Sequence, residues 1–235
     1  MGESVMAKKS LRPGWWEDGC AALAARDAVM AELIARFPDG FMQTRGDALV
    51  TLLRSIVGQQ ISVKAAASIW ARFEEAVGKA YFEGERDNLA REMKLAKRVL
   101  AVDETALRGC GFSGQKVKYV RGVCAGFVDG TVHPGLWNDM GDEAVIAELV
   151  RLPGIGRWTA EMFLMFHLLR PDVLPVGDLG VVNGFKRTYG ANWKTDTDMK
   201  GWQKRLTKVA EQWRPHRSLA VWYLWRSLDP GEIAY

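Results

Sequence analysis

Cysteine is scarce in this chain of 235 residues: Cys20, Cys110 and Cys124 are odd in number and widely separated, which excludes a disulfide framework and a CxxC metal site. All three are expected to be reduced and buried. Long apolar runs are missing as well. No stretch approaches the roughly 18 apolar residues that cross a bilayer, and the first ten residues lack the apolar centre of a signal peptide. The chain is therefore expected to stay where it is made, cytoplasmic in a bacterium or nuclear in a eukaryote, with no membrane partner. Alternating apolar and polar residues between turn signals, the mark of half-buried strands, are nearly absent, and no linker rich in Pro, Gly and Ser divides the chain. A net charge of +4 is too mild to demonstrate a polyanionic partner by itself.

What is present is helical spacing. Apolar residues recur every three or four positions almost throughout, so the fold is expected to be all-α. Helices are predicted over 16–37, 47–60, 63–77, 87–100, 104–108, 114–129, 142–151, 157–169, 179–189, 198–213 and 215–227, with Pro215 at a first helical position. Residues 1–10 read as a disordered tail. The charge is unevenly spread: residues 151–235 hold 13 Lys and Arg against 8 Asp and Glu, whereas residues 1–150 hold 19 against 20. The positive excess sits with the motif that follows.

Leu152-Pro153-Gly154-Ile155-Gly156 lies between two helical stretches. Two glycines around one apolar residue make a tight turn that another surface can approach closely, and the next helix opens its free amides into that turn. Such an end binds phosphate. Gly154, Gly156 and Arg157 are the first candidates for DNA-backbone contact. A plain helix-to-helix connection, with Ile155 plugging the core, is the competing reading of a bare G-x-G.

The longer pattern resembles the helix-hairpin-helix (HhH-GPD) DNA glycosylases, and within them the alkylation-repair branch of 3-methyladenine DNA glycosylase II. Four segments match in order: 55–62 (SIVGQQIS), 111–119 (GFSGQKVKY), 152–162 and 172–178 (DVLPVGD). The resemblance implies a two-lobed helical fold, with lobes roughly 47–140 and 11–46 plus 141–235 and the active-site cleft between them. It also implies the compact form without the N-terminal β domain. The partner would be double-stranded DNA holding a damaged base, met by a monomer.

Asp178 matches the family's catalytic aspartate. An ionised carboxylate there could stabilise positive charge developing on the sugar and orient or deprotonate water. Its place before helix 179–189 also allows a plain N-cap, and Asp172 is the runner-up. Trp158 stands where bifunctional relatives carry lysine, so no Schiff-base nucleophile is expected and the product would be an abasic site. Trp158, Met162 and Trp225 match walls for the extruded base. Gln60 matches the wedge that fills the vacated stack, with Gln59 and Ile61 as neighbours, although a glutamine pair bonding local backbone fits equally. Lys116, Lys118 and Arg217, with Lys186 and Arg187, are candidate phosphate neighbours, and a solvated helix face is the default for each. No catalytic cofactor and no iron-sulfur cluster are expected, since the four closely spaced cysteines are missing. Carbonyls of Val150, Leu152 and Ile155 match a structural Na⁺ or K⁺ site in relatives. A glycosylase for oxidised or mismatched bases and a non-catalytic helix-hairpin-helix DNA binder remain the rival readings.

Overall fold

The computed structural model describes residues 12–44, 46–83, 88–193 and 196–228. The tail predicted at 1–10 and the helix start predicted at Asp87 lie outside them. Among the described residues there are twelve α-helices and no strand, in agreement with the apolar spacing. The chain forms two compact units, Arg45–Phe163 and the segments on either side of it. The sequence reading placed the change of lobe near residue 140. Contacts place it after Phe163, because the hairpin packs onto a helix of the inner unit, as described below.

The inner unit holds α3 (Ala48–Gly58), α4 (Val63–Val77), α5 (Leu89–Ala101), α6 (Glu104–Gly109), α7 (Gly114–Asp129), α8 (Asp142–Leu149) and most of α9 (Arg157–Phe166). Its core follows the helical period: α3 buries Leu49, Leu52, Leu53 and Ile56, and α7 buries Val117, Val120, Cys124 and Phe127. Helix α3 is held at both ends by other elements. At its start, Asp47 is committed to an ion pair with Arg91, and Glu92 of α5 accepts the Leu49 amide at 2.9 Å. At its end, the Lys116 ammonium meets the last carbonyls. Acid at the N-terminus and base at the C-terminus both suit the helix dipole.

The outer unit contains α1 (Trp16–Arg26), α2 (Ala28–Arg36), α10 (Leu179–Tyr189), α11 (Met199–Ala210) and α12 (Arg217–Leu228). Helix α12 is buried nearly all round, from Ser218 to Trp225. Gly184 of α10 lies directly on the Leu224 carbonyl, so any side chain at 184 would drive the two helices apart. Two predicted boundaries change here. The single helix expected over 16–37 is broken at Asp27, whose backbone is extended and whose Oδ1 accepts the amides of Val29 (3.0 Å) and Met30 (3.2 Å) to start α2. Pro215 follows a cis peptide bond, and α12 begins at Arg217, so Pro215 is not its first helical residue.

Candidate active site and nucleic-acid interface

Leu152–Ile155 forms a tight turn in which the Ile155 amide donates to the Leu152 carbonyl at 3.2 Å. Pro153 and Gly154 take the positions that a type II turn reserves for them, and Gly154 has the positive φ of +82° that the second position demands. Helix α7 lies under this turn. Leu152 fills the space over Gly126, Pro153 that over Gly122, and the Tyr119 ring that over Gly154. Gly154 is thus required by its own φ and by Tyr119, whereas a Cβ on Gly156 would meet nothing. Internal packing therefore does not explain Gly156. Ile155 is buried, so the hairpin is a core connection as well as a surface turn.

Gly156 caps α9, its carbonyl accepting the Ala160 amide at 3.0 Å. Seven other caps supply a side-chain oxygen, Asp27, Ser62, Asn88, Asp103, Ser113, Asp178 and Asp198, whereas Trp15, Asp47 and Gly141 do not. Glycine cannot, and the first turn of α9 carries no acidic residue. A helix start without a side-chain cap or an acidic first turn suits an anion.

Ahead of α4, Gln59 ends α3 and Gln60 is left-handed, with φ +60°, a conformation that costs a side-chain-bearing residue about 1 kcal/mol. Gln60 is exposed and Ile61 partly so. Gln59 is not available as a wedge: its Nε2 donates to the Gly154 carbonyl at 3.0 Å.

The segment from α9 to Asp178 is strapped down at several points. Ser218 Oγ donates to the Arg170 carbonyl (2.7 Å) and accepts the Val173 amide (2.9 Å), and Gln203 Nε2 donates to the Val176 carbonyl (3.0 Å). Asp178 is 6% exposed. Its Oδ1 accepts the Val181 amide at 2.7 Å and the Trp225 indole N–H at 2.9 Å. Gly180 leaves the room for this, because a Cβ there would press on Trp225 and on Oδ1 itself, each about 3 Å away. Asp178 is therefore a cap, and also a carboxylate fixed in direction by an indole.

Residues 53–212 match the model of the HhH-GPD superfamily base excision DNA repair proteins. The chain belongs to this superfamily. A DNA-3-methyladenine glycosidase from Bacillus halodurans superposes with a TM-score of 0.74 at 33% identity, over 90% of this chain and 89% of that one. A 3-methyladenine DNA glycosylase of Schizosaccharomyces pombe, solved in complex with abasic DNA, gives 0.66 at 25% identity, over 89% of this chain and 95% of that one. In sequence, DNA-3-methyladenine glycosylase 1 of the same yeast is 28% identical over 199 residues, 84% of this chain and 80% of its own length.

Several HhH-GPD site residues expected from the sequence stand elsewhere in the chemistry. Arg157 is an acid-paired side chain: both terminal nitrogens meet Glu143 (2.5 and 3.0 Å) and Nε meets Glu161 (3.0 Å), which holds the guanidinium above its usual range. Arg217 is locked on Asp172 through Nε (2.7 Å) and through bonds from Nη2 to that residue's carboxylate and carbonyl. Lys116 points inward, donating to the carbonyls of Val57 (2.7 Å) and Gln59 (2.8 Å), and burial lowers its pKa. Lys186 pairs with Asp196 at 2.9 Å, whereas Lys118 and Arg187 are exposed. Trp225 is buried, stacked on Phe166 with centroids 5.9 Å apart, so it orients Asp178 and is not an open wall for a base. Trp158 is 43% exposed, with Met162 buried one turn along α9.

Three partners escaped the sequence reading: Tyr119 over Gly154, Phe166 under Trp225, and the Lys116 clamp. The first had a signal, since Gly122 and Gly126, four residues apart on a helix, mark a face made for close approach.

Proposed function

We propose that the protein is a monofunctional DNA glycosylase of base excision repair, which binds duplex DNA as a monomer, extrudes an alkylated purine and hydrolyses its N-glycosidic bond. The observation that carries the reading is Asp178: a nearly buried carboxylate held by the Trp225 indole, in a chain of the HhH-GPD superfamily. As the bond from base to C1′ stretches, positive charge develops on the sugar. A carboxylate whose direction is already fixed stabilises that charge without reorganising, and can orient the attacking water. The bond breaks with its electron pair leaving on the base, and water supplies the hydroxyl at C1′, so the product is an abasic site in an uncut strand.

Other residues take the remaining tasks. The exposed indole of Trp158 offers a flat electron-rich face to a cationic alkylated base. Because Trp158 is not a lysine, no amine stands there to form a Schiff base and cut the strand. Gln60 enters the gap left by the extruded nucleotide. The amides at Gly156 and Arg157, with the exposed Lys118, neutralise backbone phosphate. An alkali cation on the carbonyls of Val150, Leu152 and Ile155 would bridge hairpin and phosphate. The Leu152 carbonyl has one lone pair engaged by Ile155 and a second to offer. No cofactor is assigned to the bond cleavage.

The test is release of base from duplexes carrying single 3-methyladenine, 7-methylguanine, hypoxanthine or ethenoadenine lesions, with the strand analysed before and after alkali. Release with breaks only after alkali is expected. Breaks before alkali would overturn the monofunctional reading, and no release from any duplex would leave a DNA binder.

A further inference from the structure

Helix α7 carries a stripe that joins the two segments assigned to DNA. Lys116, Tyr119, Gly122 and Gly126 follow at spacings of three, three and four, and so share one helix face. Gly126 meets Leu152, Gly122 meets Pro153, and Tyr119 covers Gly154, so the hairpin is matched residue by residue along the helix. One turn further toward the start of α7, Lys116 Nζ reaches the carbonyls of Val57 and Gln59 at 2.7 and 2.8 Å. Gln59 closes the ring, its Nε2 donating to the Gly154 carbonyl at 3.0 Å. The residue that follows these tethers is Gln60, left-handed and exposed.

A helix end beside solvent can satisfy its last carbonyls with water. Placing an ammonium there instead takes a strongly hydrated charge partly out of water, and that burial lowers its pKa. An ammonium also does what water does not: it ties two carbonyls of the turn to a helix that is already docked on the hairpin.

We infer that Lys116 and Gln59 are positioning residues, which fix loop 59–61 on the hairpin so that Gln60 projects at a set distance from the phosphate-binding turn. The hairpin and the wedge then act as one part: phosphate held at Gly156 fixes where Gln60 enters the stack. This inference rests on the reading of Gln60 as the wedge.

The experiment compares Gln60→Ala, Lys116→Met, the double variant and Lys116→Arg in single-turnover excision. One substrate is a lesion in a paired duplex and the other is the same lesion in a single strand, where no wedge is needed. On the duplex, Gln60→Ala and Lys116→Met are each expected to slow excision by about tenfold to a hundredfold, the first by removing the wedge and the second by removing the two charge-assisted bonds that hold its loop. The double variant should be no slower than the slower single, Lys116→Arg should keep most of the rate, and the single-strand rates should change little. Normal duplex excision by Lys116→Met would overturn the inference. So would losses that multiply in the double variant, or equal slowing on both substrates. A Gln60→Ala variant at full duplex rate would instead sink the wedge reading itself, and this inference with it. Should Lys116→Met fail to fold, Gln59→Leu, which removes only the bond to Gly154, takes its place with the same expected and overturning results.

Discussion

Two aspartates of the outer unit invite confusion. Asp27 and Asp178 are each 6% exposed, each caps the helix that follows, and each accepts an indole N–H. Their surroundings differ. Asp27 uses both oxygens: Oδ1 takes two amides of α2, and Oδ2 takes the Tyr189 hydroxyl (2.7 Å), Gln212 Nε2 (2.8 Å) and Trp213 Nε1 (2.8 Å). One carboxylate thereby staples α2 to the end of α10 and to the turn after α11. Asp178 Oδ1 receives Val181 and Trp225, at the end of a strapped segment and next to a glycine that makes room for the indole. Burial and capping are common to both; what their donors connect differs, and the proposed chemistry falls on Asp178 alone.

The largest effect should come from Asp178→Asn. Asparagine caps as well as aspartate but carries no charge, so folding should persist while base release falls by about a thousandfold, the scale of losing a main electrostatic group. Full activity with an unchanged melting curve would erase the distinction between the two aspartates. Asp27→Ala should do the reverse, lowering unfolding free energy by roughly 3 kcal/mol or more, because three buried donors lose a charged acceptor. At a temperature where the variant is still folded, its excision rate should stay near normal. The tryptophans sharpen the contrast at smaller scale. Trp225→Phe keeps a ring on Phe166 but loses the bond to Asp178, and should slow single-turnover excision by about tenfold. Trp213→Phe should cost about 1 kcal/mol in denaturant unfolding, with no change in rate. A rate loss in Trp213→Phe equal to that in Trp225→Phe would mean that both indoles merely stabilise the unit.

The same pair shows what could be read from the sequence. Asp178 is singled out as a candidate by the last of four ordered motifs, and its capping role by its place before an apolar-periodic stretch. Asp27 was passed over because it sits inside an unbroken run of helix-forming residues, 16–37, where nothing local says that the chain breaks. Its break is set by Tyr189, Gln212 and Trp213, more than 160 positions away, and no window of sequence contains them. Helix positions such as 63–77, 114–129 and 179–189 were legible because each depends on its own period and cap. Basic side chains were the least legible. Arg157, Arg217 and Lys116 all have the charge for phosphate, but Glu143, Asp172 and the end of α3 claim them first, and those partners are fixed only by the fold.

A last expected effect concerns alkali, and it too follows from the Asp27 staple. Burial, and then the neighbouring Asp27 carboxylate, push the Tyr189 phenol well above the ordinary tyrosine range. In the unfolded chain this phenol ionises near pH 10, whereas in the folded protein it keeps its proton. The folded state therefore binds more protons than the unfolded state above that pH, and stability must fall as pH rises, by up to about 1.4 kcal/mol per pH unit for each such group. Below pH 10 this contribution is fully present. Tyr223, raised by burial and by its bond with Cys20, adds a second share over the same window, and the Cys124 thiol, pushed by burial up to about 12, adds one that begins lower, near pH 8.5. Urea unfolding at intervals from pH 8 to 11 should show this decline, and Tyr189→Phe should be less steep than the parent above pH 10 even though it starts from a lower stability. Parallel curves would mean that the Tyr189 hydroxyl ionises as easily in the folded protein as in the unfolded chain, which a hydroxyl buried against Asp27 cannot do.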